Sequence, residues 1–313
     1  MVNRKWSLLL LTVAASACGG DAGQAGADGA TLSGTITADG SSTVFPITQA
    51  LAEEFTRAHN GAVHVTVGQS GTGGGFKRFC LGETDISNAS RPIKDEEKAA
   101  CAQNGVEFTE MQVAFDGLSV LAHPSNSFAT CLTVPELKKI WEPGSQVKRW
   151  SEVRAGFPNE EIKLYGPGTA SGTFDYFTEV INGKAQASRA DYTASEDDNV
   201  LVQGVSGDRH SLGYFGYAYY EQNKEKLKLV AVDDGSGCVT PSPETIKNGT
   251  YKPLSRPLII YISKKAMARP EVQGFLQFYN ENAAALIPQV GYVPLDDAKY
   301  TENLGQLGTT TAK

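Results

Sequence analysis

Several residue types that carry common chemistries are scarce in this sequence. Its 313 residues include four histidines, which are scattered and belong to no catalytic motif, and five cysteines without a Cys-x-x-Cys spacing. These absences give no support to a zinc site or a thiol redox motif. Positive charge is also in the minority, since 28 Lys and Arg face 35 Asp and Glu for a formal net charge of −7. This balance argues against a nucleic-acid-binding protein, which would normally carry a basic stripe.

Long apolar runs are absent beyond the N-terminus, so no later stretch predicts a membrane-spanning helix. The run at residues 6–14 is too short to span a bilayer permanently, and it follows the basic residues Arg4 and Lys5. A basic start, a short apolar run and small residues at the end are typical of an export signal. The sequence therefore predicts a signal peptide over residues 1–17.

The end of this signal resembles a bacterial lipobox, in which cleavage occurs before a Cys that is then lipidated. Cys18 follows a run of small residues, although Ala15 stands where Leu is usual. Ordinary signal cleavage near Ala17 is the alternative. Under the lipoprotein interpretation, residues 18–30 form a lipid-anchored flexible linker because they are rich in Gly and Ala. Loss of the two basic residues takes the formal charge to −9.

The remaining four cysteines form an even set in a chain predicted to be exported, which favours two disulfides. Four cysteines allow three pairings, of which we favour Cys80–Cys101 and Cys131–Cys238. The first pair closes a loop of about twenty residues, a stabilisation of about 3 kcal/mol in the chain-entropy model. Four reduced, buried thiols are the alternative.

Apolar patterns of strand and helix period alternate along the rest of the chain. They predict strands at 31–37, 63–67, 85–90, 113–122, 162–165, 212–218, 227–232 and 256–263. They predict helices at 44–57, 76–81, 95–104, 134–141, 174–181 and 269–281, with the last helix ending near 290. This order predicts an α/β fold with mostly parallel or mixed sheets, and the chain length suggests about two lobes. The polar tail after Thr301 is expected to be loose.

Three segments rich in Ser, Thr and Gly lie where a predicted strand ends and a helix begins, at residues 40–43, 69–75 and 166–173. The first turn of a helix leaves about four N–H groups without intrahelical partners, so it attracts oxyanions. Gly allows close backbone approach, and Ser and Thr add neutral hydroxyl donors. Three such loops could surround one tetrahedral oxyanion even in an acidic chain. Each segment alone is also compatible with a helix cap or turn.

None of the three segments fits a common catalytic motif. The phosphate-loop and dinucleotide-binding spacings both lack a required Gly after Gly71. The segment 68–72 ends on Thr72 where a nucleophile elbow needs Gly. No catalytic residue, metal ligand or cofactor is predicted.

At the level of whole motifs, the chain resembles the phosphate-binding subunit of the high-affinity ABC-type phosphate uptake system. The matching segments are GSSTVFPIT at 40–48, SGTGGGFKRFC at 70–80, TDISNASRPI at 84–93, AFDGL at 114–118 and LYGPGTASGTFDYF at 164–177. The resemblance implies a type II periplasmic-binding-protein fold, in which two α/β lobes close over the ligand about a hinge. It implies one lobe of residues 31–121 plus 255–313 and a second lobe of residues 122–254.

The resemblance also implies a set of phosphate-binding residues. The three loops would contribute Ser42, Thr43, the Val44 N–H, Ser70, Gly71, Thr72, Ser171, Gly172 and Thr173. A cation lies near phosphate in the family, and Arg91 is the candidate here because its planar fork suits a bidentate contact. A surface ion pair is the alternative role for Arg91.

Relatives also use a carboxylate that accepts the proton of phosphate, and such a group would repel sulfate. They carry it as an Asp where this chain has Arg91, so Asp116 is the candidate acceptor, with a structural role beside a turn as the alternative. Ala170 stands where close relatives often have Asp, which removes a possible supporting partner from the third loop.

The implied function is high-affinity binding of inorganic phosphate outside the inner membrane and delivery to the permease subunits of an ABC phosphate transporter. The chain would act as a periplasmic or cell-surface monomer, held to a membrane through Cys18, and would not be an enzyme. A binding protein for arsenate, sulfate or another oxyanion is one alternative. A phosphoester hydrolase is less favoured, because no Ser-His constellation or metal-ligand cluster is visible.

Overall fold

The computed structural model describes residues 32–307. The predicted signal peptide (1–17) and linker (18–30), with Cys18, lie outside the described residues. The described strands are β1 (Gly34–Gly40), β2 (Val63–Val67), β3 (Ile86–Ala89), β4 (Phe108–Ala122), β5 (Cys131–Thr133), β6 (Lys163–Pro167), β7 (Thr193–Ser195), β8 (Ser211–Gly216), β9 (Lys228–Asp233), β10 (Cys238–Val239), β11 (Ser255–Ser263) and β12 (Val293–Pro294).

The helices are interspersed with these strands. They are α1 (Phe45–Ala58), α2 (Gly71–Cys80), α3 (Asp95–Gln103), α4 (Val134–Trp141), α5 (Trp150–Val153), α6 (Gly172–Asn182), α7 (Asp198–Gly207), α8 (Tyr217–Asn223), α9 (Pro243–Lys247), α10 (Lys264–Met267), α11 (Pro270–Leu286) and α12 (Asp297–Gln306), with a 3₁₀ turn at Ile287–Val290. The sequence predicted six of these helices (α1, α2, α3, α4, α6 and α11) but not the others. Within residues 32–307, the structure contains no helix both long and apolar enough to cross a bilayer.

The strands form one mixed sheet whose main path runs β2-β1-β3-β11-β4-β8-β6-β7. Strand β1 is parallel to both β2 and β3, and β6 is parallel to both β7 and β8. The 15-residue strand β4 joins the two parallel groups, because its first part pairs with β11 and its last part pairs with β8 and β9, all antiparallel. The α/β fold with mixed sheets is therefore confirmed.

Strand β4 contributes to two large hydrophobic cores, one along its first part and one along its last part. In β4, Val113 and Ala114 belong to the first core, with α1 and α11, whereas Leu118 and Val120 belong to the second, with α4 and α6. Phe115 packs partly against both cores. The chain crosses between the cores within a few residues of β4, and it returns at the start of β11.

Both favoured disulfides are present. Cys80–Cys101 joins α2 to α3, and Cys131–Cys238 joins β5 to β10. Helix α3 and strand β10 contribute few side chains to the hydrophobic cores. The disulfides attach them to α2 and to β5, respectively.

The sequence placed the start of α2 at Phe76, whereas the helix begins five residues earlier, at Gly71. Four glycines in a helix are unfavourable in isolation, at about 1 kcal/mol each relative to Ala. Packing overrides this preference here. A Cβ on Gly75 would lie 2.5 Å from the Cα of Gly40, so a small residue is required for α2 to rest against the end of β1.

The expectation of a loose tail after Thr301 was wrong up to Leu307, since α12 continues the fold to Gln306. This helix is held by hydrogen bonds to distant residues, which its own sequence does not predict. The Tyr300 hydroxyl donates to the carbonyl of Val113 (3.0 Å) and accepts the N–H of Leu295 (3.1 Å). Asn303 donates to the carbonyl of Gln112 at 2.9 Å. These bonds tie α12 to β4.

Candidate anion-binding site

The first Ser/Thr segment joins β1 to α1, and its backbone is organised by Ser41. The buried Ser41 hydroxyl accepts the N–H groups of Thr43 (3.2 Å) and Val44 (3.4 Å). The Val44 N–H that was expected to contact the ligand thus has a long internal bond. Ser42, by contrast, lines both of the cavities that are described below. Sequence reasoning missed Ser41, although a Ser directly after a strand and before a helix is the usual signal for a cap.

The second segment forms the first turn of α2 rather than a separate loop. Ser70 precedes the helix, and its N–H donates to a carboxylate oxygen of Asp39 at 3.0 Å. The Thr72 hydroxyl contacts the Ser90 hydroxyl at 3.1 Å and accepts the Ser90 N–H at 3.2 Å. Gly71 has a φ of +76°, a conformation that favours glycine. The first turn of α2 therefore lies beside Ser90.

Asp39 connects the first two segments, because its carboxylate accepts N–H groups from both of them. Burial acts to raise the pKa of this carboxyl, but bonds from Arg78 and from the N–H groups of Ser70 and Gly40 outweigh it, and the pKa lies below its usual range. Asp39 is therefore an anion whose bonds are directed at the backbone of both loops. It is 2% exposed and lines neither of the cleft cavities described below.

The third segment joins β6 to α6. The Ser171 hydroxyl caps the helix by accepting the N–H of Thr173 at 3.1 Å. Gly172, the first residue of α6, lies directly against the first segment, because a Cβ there would sit 2.6 Å from the Thr43 hydroxyl and 2.9 Å from the Thr43 N and Cα. The structure therefore brings the first and third segments into contact across the cleft.

Two cavities open on this cleft. The first, of about 420 Å³, is lined by Ser41, Ser42, Thr43, Gly71, Thr72, Ser90, Arg91, Pro92, Asp175, Tyr176, Glu179, Val180, Ala185, Arg256 and Pro257. The second, of about 450 Å³, includes Ser42 and residues 170–173 together with Glu196, Asp198, Tyr219 and Tyr292. Of the residues expected from the sequence, Val44, Ser70 and Asp116 line neither cavity, and the other eight line one or both.

Arg256 is a largely buried cation that lines the first cavity, and sequence reasoning missed it. Its side chain is 12% exposed and donates to the Thr43 hydroxyl (2.9 Å) and to Asp116 (3.2 Å). Its guanidinium also stacks 3.6 Å from the ring centre of Tyr176. The signal available in the sequence was a lone Arg at the start of an apolar predicted strand.

Asp116 faces Arg256 because β11 and β4 are antiparallel and their register places the two residues opposite each other. Burial raises the pKa of the Asp116 carboxyl, and the Arg256 charge opposes this shift. Asp116 thus contacts the Arg256 guanidinium. Arg256 lines the cavity, whereas Asp116 does not.

Arg91 lines the same cavity but is held by another partner. Its two terminal nitrogens donate to the two carboxylate oxygens of Glu97 at 2.9 and 2.8 Å, and its guanidinium lies 5.6 Å from the centre of the Phe76 ring. Arg91 thus forms an ion pair, which is the alternative role that the sequence left open, although both side chains are partly buried rather than on the surface.

Asp175 is a second acid that the sequence did not single out. It lies in the first turn of α6 and lines the first cavity, and its Oδ1 is buried without a hydrogen-bond partner. Burial raises the pKa of this carboxyl, against the influence of Gln186 and Arg256. The spacing of four residues from Ser171 could have indicated that both groups lie near the start of one helix.

Across residues 32–307, the structure has no group of three or more His, Cys, Asp or Glu side chains that could hold a metal ion. What the site offers is a set of neutral hydroxyl and N–H donors from three helix starts, one buried guanidinium and one carboxylate oxygen without a partner. This arrangement suits a small anion that carries a proton.

The family model of the PBP superfamily domain matches residues 25–282. Protein SphX of Synechococcus elongatus is 52% identical over 269 residues, which cover 85% of this chain and 79% of SphX. The phosphate-binding protein PstS of Staphylococcus saprophyticus is 41% identical over 317 residues, covering 99% and 96% of the two chains.

A solved structure is also similar to this chain. The crystal structure of a "possible phosphate binding protein" from Planctomyces limnophilus is 53% identical, with a TM-score of 0.84, and the match covers 88% of this chain and 98% of that one. The fold described here is thus shared with an experimentally determined relative.

Proposed function

The chain belongs to the PBP superfamily of periplasmic binding proteins, and within it to the phosphate-binding proteins of ABC phosphate transport; from its geometry we propose that it holds inorganic phosphate among the N-termini of α1, α2 and α6. The type II periplasmic-binding-protein fold expected from the sequence motifs is confirmed, and the family is one of solute-binding proteins. The partners that follow are phosphate and the membrane permease of the same transport system.

One observation carries the site. Gly172 of the third segment lies against Thr43 of the first, and Thr43 accepts a hydrogen bond from the buried Arg256. Neutral donors and one guanidinium therefore converge on a single cleft, where local dipoles outweigh the −7 charge of the whole chain. The proposed contacts are Ser42, Thr43, Val44, Ser70, Gly71, Thr72, Arg91, Ser171, Gly172 and Thr173 from the sequence, together with Ser41, Asp175 and Arg256 from the structure. Asp116, which the sequence also proposed, lines neither cavity and pairs with Arg256 instead.

Calorimetric titration of the purified protein with phosphate tests this proposal. We expect saturable binding with one phosphate per chain, and no displacement by excess sulfate. Ser171→Asp should abolish binding through repulsion between the new carboxylate and the ligand, while the melting temperature stays close to the wild-type value. Ser236→Asp adds the same charge on an exposed loop and should leave the Kd unchanged. Absence of phosphate binding by the wild type would contradict the proposed function.

Discrimination against sulfate requires a proton acceptor, because phosphate near neutral pH carries a proton that sulfate lacks. Two carboxylates are candidates. Asp116 was expected from the sequence, but it is 1% exposed and pairs with Arg256. Asp175 lines the cavity and has a buried oxygen without a partner, so we propose that Asp175 accepts the proton and that Asp116 orients Arg256.

Competition between phosphate and sulfate separates these roles. Asp175→Asn should reduce the preference for phosphate, because an amide can donate to sulfate as readily as to phosphate. Asp116→Asn should weaken binding of both anions by similar factors, since it leaves Arg256 without its charged partner. Loss of the preference in Asp116→Asn alone would return the acceptor role to Asp116.

We propose further that the two cores are the lobes implied by the sequence, of residues 31–121 plus 255–313 and residues 122–254, with β4 and the start of β11 as the hinge. The change of core between Ala114 and Leu118 and between Leu254 and Leu258 supports a hinge at these strands. Scattering measurements with and without phosphate test it. We expect the radius of gyration to fall on binding, and an unchanged value would oppose lobe closure.

The place of action is also a proposal. We propose that the chain works outside the inner membrane as a monomer anchored through a lipid on Cys18. Two disulfides support an oxidising compartment. Labelling with radioactive palmitate should mark the wild type but not Cys18→Ser, and equal labelling of both would oppose the anchor.

A further inference from the structure

We infer that Glu196 is a positioning residue that fixes the third Ser/Gly segment in its ligand-binding geometry. This inference rests on the proposed phosphate site and adds to it a residue that has no contact with the ligand in the proposed set. Glu196 lies outside the Gly-rich motif itself and follows β7, about 25 residues further along the chain.

The register of the sheet brings Glu196 to the third segment. Strands β6 and β7 are parallel, and their pairing ends with Pro167 opposite Ser195. The next residues, Gly168 and Glu196, are therefore neighbours where both strands end. A bond from the Tyr192 hydroxyl to the Pro167 carbonyl, 2.8 Å long, fastens the same end of the pair.

The carboxylate of Glu196 lies on the backbone of the turn that precedes α6. Its Oε1 accepts the N–H of Ala170 at 3.1 Å. The turn itself is closed by the Ser171 N–H, which donates to the carbonyl of Gly168 at 3.1 Å. Glu196 thus holds the residue immediately before Ser171, and Ser171 in turn caps α6.

Gly168 is the feature that shows how closely this carboxylate is seated. A Cβ at position 168 would lie 2.2 Å from Glu196 Oε1 and 2.8 Å from its Cδ. Both distances are shorter than any non-bonded contact, so a side chain at 168 and the observed position of Glu196 exclude each other. Gly168 and Glu196 therefore act as a pair.

The negative charge of Glu196 is by itself unfavourable beside an anion-binding site. Glu196 lines the second cavity of the cleft together with Ser171 and Asp198, so its charge repels an anion in the site. If the carboxylate did nothing but repel, its removal would strengthen phosphate binding. If it holds the turn, its removal weakens binding. The sign of the change therefore distinguishes the two roles.

The experiment measures phosphate Kd and melting temperature for a small set of variants of the whole chain. Glu196→Ala should raise the Kd about tenfold, the size expected when a hydrogen bond to a charged group is lost. Glu196→Gln keeps an oxygen acceptor and should stay within about threefold of the wild type. Gly168→Ala should reproduce Glu196→Ala, and the double variant should show no further loss. Glu225→Ala, an exposed acid elsewhere, should leave the Kd unchanged.

Amide hydrogen exchange without phosphate supplies a second readout that is independent of binding. The Ala170 N–H should exchange faster in Glu196→Ala than in the wild type or in Glu225→Ala. An unchanged Kd together with unchanged exchange would overturn the inference, as would tighter phosphate binding by both Glu196 variants. If the wild type failed to bind phosphate, the proposed function would fall, and the exchange rates would still decide whether Glu196 holds the turn.

Discussion

A methyl group added at Gly172 should separate the first and third segments without unfolding the protein. Gly172 begins α6, and a Cβ there would lie 2.9 Å from both the N and the Cα of Thr43. Carbon atoms without a bond between them rest about 3.5–4.0 Å apart, so the two backbones must move apart by roughly 0.6–1 Å. Flexible side chains cannot absorb this overlap, because two of the three nearest atoms belong to the backbone.

The size of the effect follows from the ligand bonds that are lengthened. A hydrogen bond to a charged group contributes about 1.5–3 kcal/mol, so the loss of one such bond raises the Kd roughly 10- to 150-fold. Stability should change little, since replacement of Gly by Ala in a helix is favourable by up to about 1 kcal/mol. We therefore expect Gly172→Ala to show weak phosphate binding and a near-normal melting temperature in the absence of ligand.

Titration calorimetry and thermal unfolding together test this expectation. Gly207→Ala is a matched control, because it adds the same methyl group at the end of α7, where nothing lies within 4 Å of the new atom. Its Kd should equal that of the wild type. A wild-type Kd in Gly172→Ala would refute the reasoning that close contact between the two segments builds the site.

Three further predictions concern stability in the absence of phosphate. Burial, followed by neighbouring carboxylates, raises the pKa of Asp198 to about 7, so the folded protein keeps a proton that the unfolded chain releases above about pH 4. Stability should fall as the pH rises from about 4 to 7, and Asp198→Asn should be more stable than the wild type by about 2–4 kcal/mol at pH 8 but not at pH 4 in urea denaturation. Replacing both Cys131 and Cys238 by Ala opens a loop whose ends are 107 residues apart and should lower the unfolding free energy by about 4–5 kcal/mol; an unchanged denaturation midpoint would contradict this. Tyr300→Phe removes two buried backbone contacts of α12 and should cost about 1–3 kcal/mol, whereas a wild-type midpoint would show that α12 is held by other contacts.

Much of the fold could be predicted from the sequence because strands and helices alternate with clear periods. The helix at residues 134–141 is an example, since it matches its prediction at both ends and carries a capping Thr133. The start of α2 could not be predicted, because its glycines oppose helix formation locally and are accepted for their packing on β1. The polar helix α12 was missed because its partners lie on β4, almost 190 residues earlier in the chain.

The site shows the same division. The positions of Ser42, Gly71 and Ser171 between a predicted strand and a predicted helix follow from local signals, so the three segments could be placed without the structure. The cation could not be chosen this way, because Arg91 and Arg256 both stand beside a Pro in strand-like segments. Only the pairing of β11 with β4 places Arg256 in the cavity, and only the position of α3 gives Arg91 its partner Glu97.

The sequence by itself determined the class of fold, the place of the three Ser/Thr/Gly segments between strands and helices, and the family, because each rests on short-range patterns of residue type. It favoured both disulfide pairings over the two alternatives, but only the folded chain brings Cys131 and Cys238, 107 residues apart, together. Tertiary structure alone decided which charged groups meet in the cleft. Arg256 is separated by 140 residues from Asp116 and by 213 residues from Thr43, and Glu196 reaches Ala170 only through the register of β6 and β7. Charge pairs of this kind depend on distances of a few ångströms between distant segments, and those distances exist only once the sheet has formed.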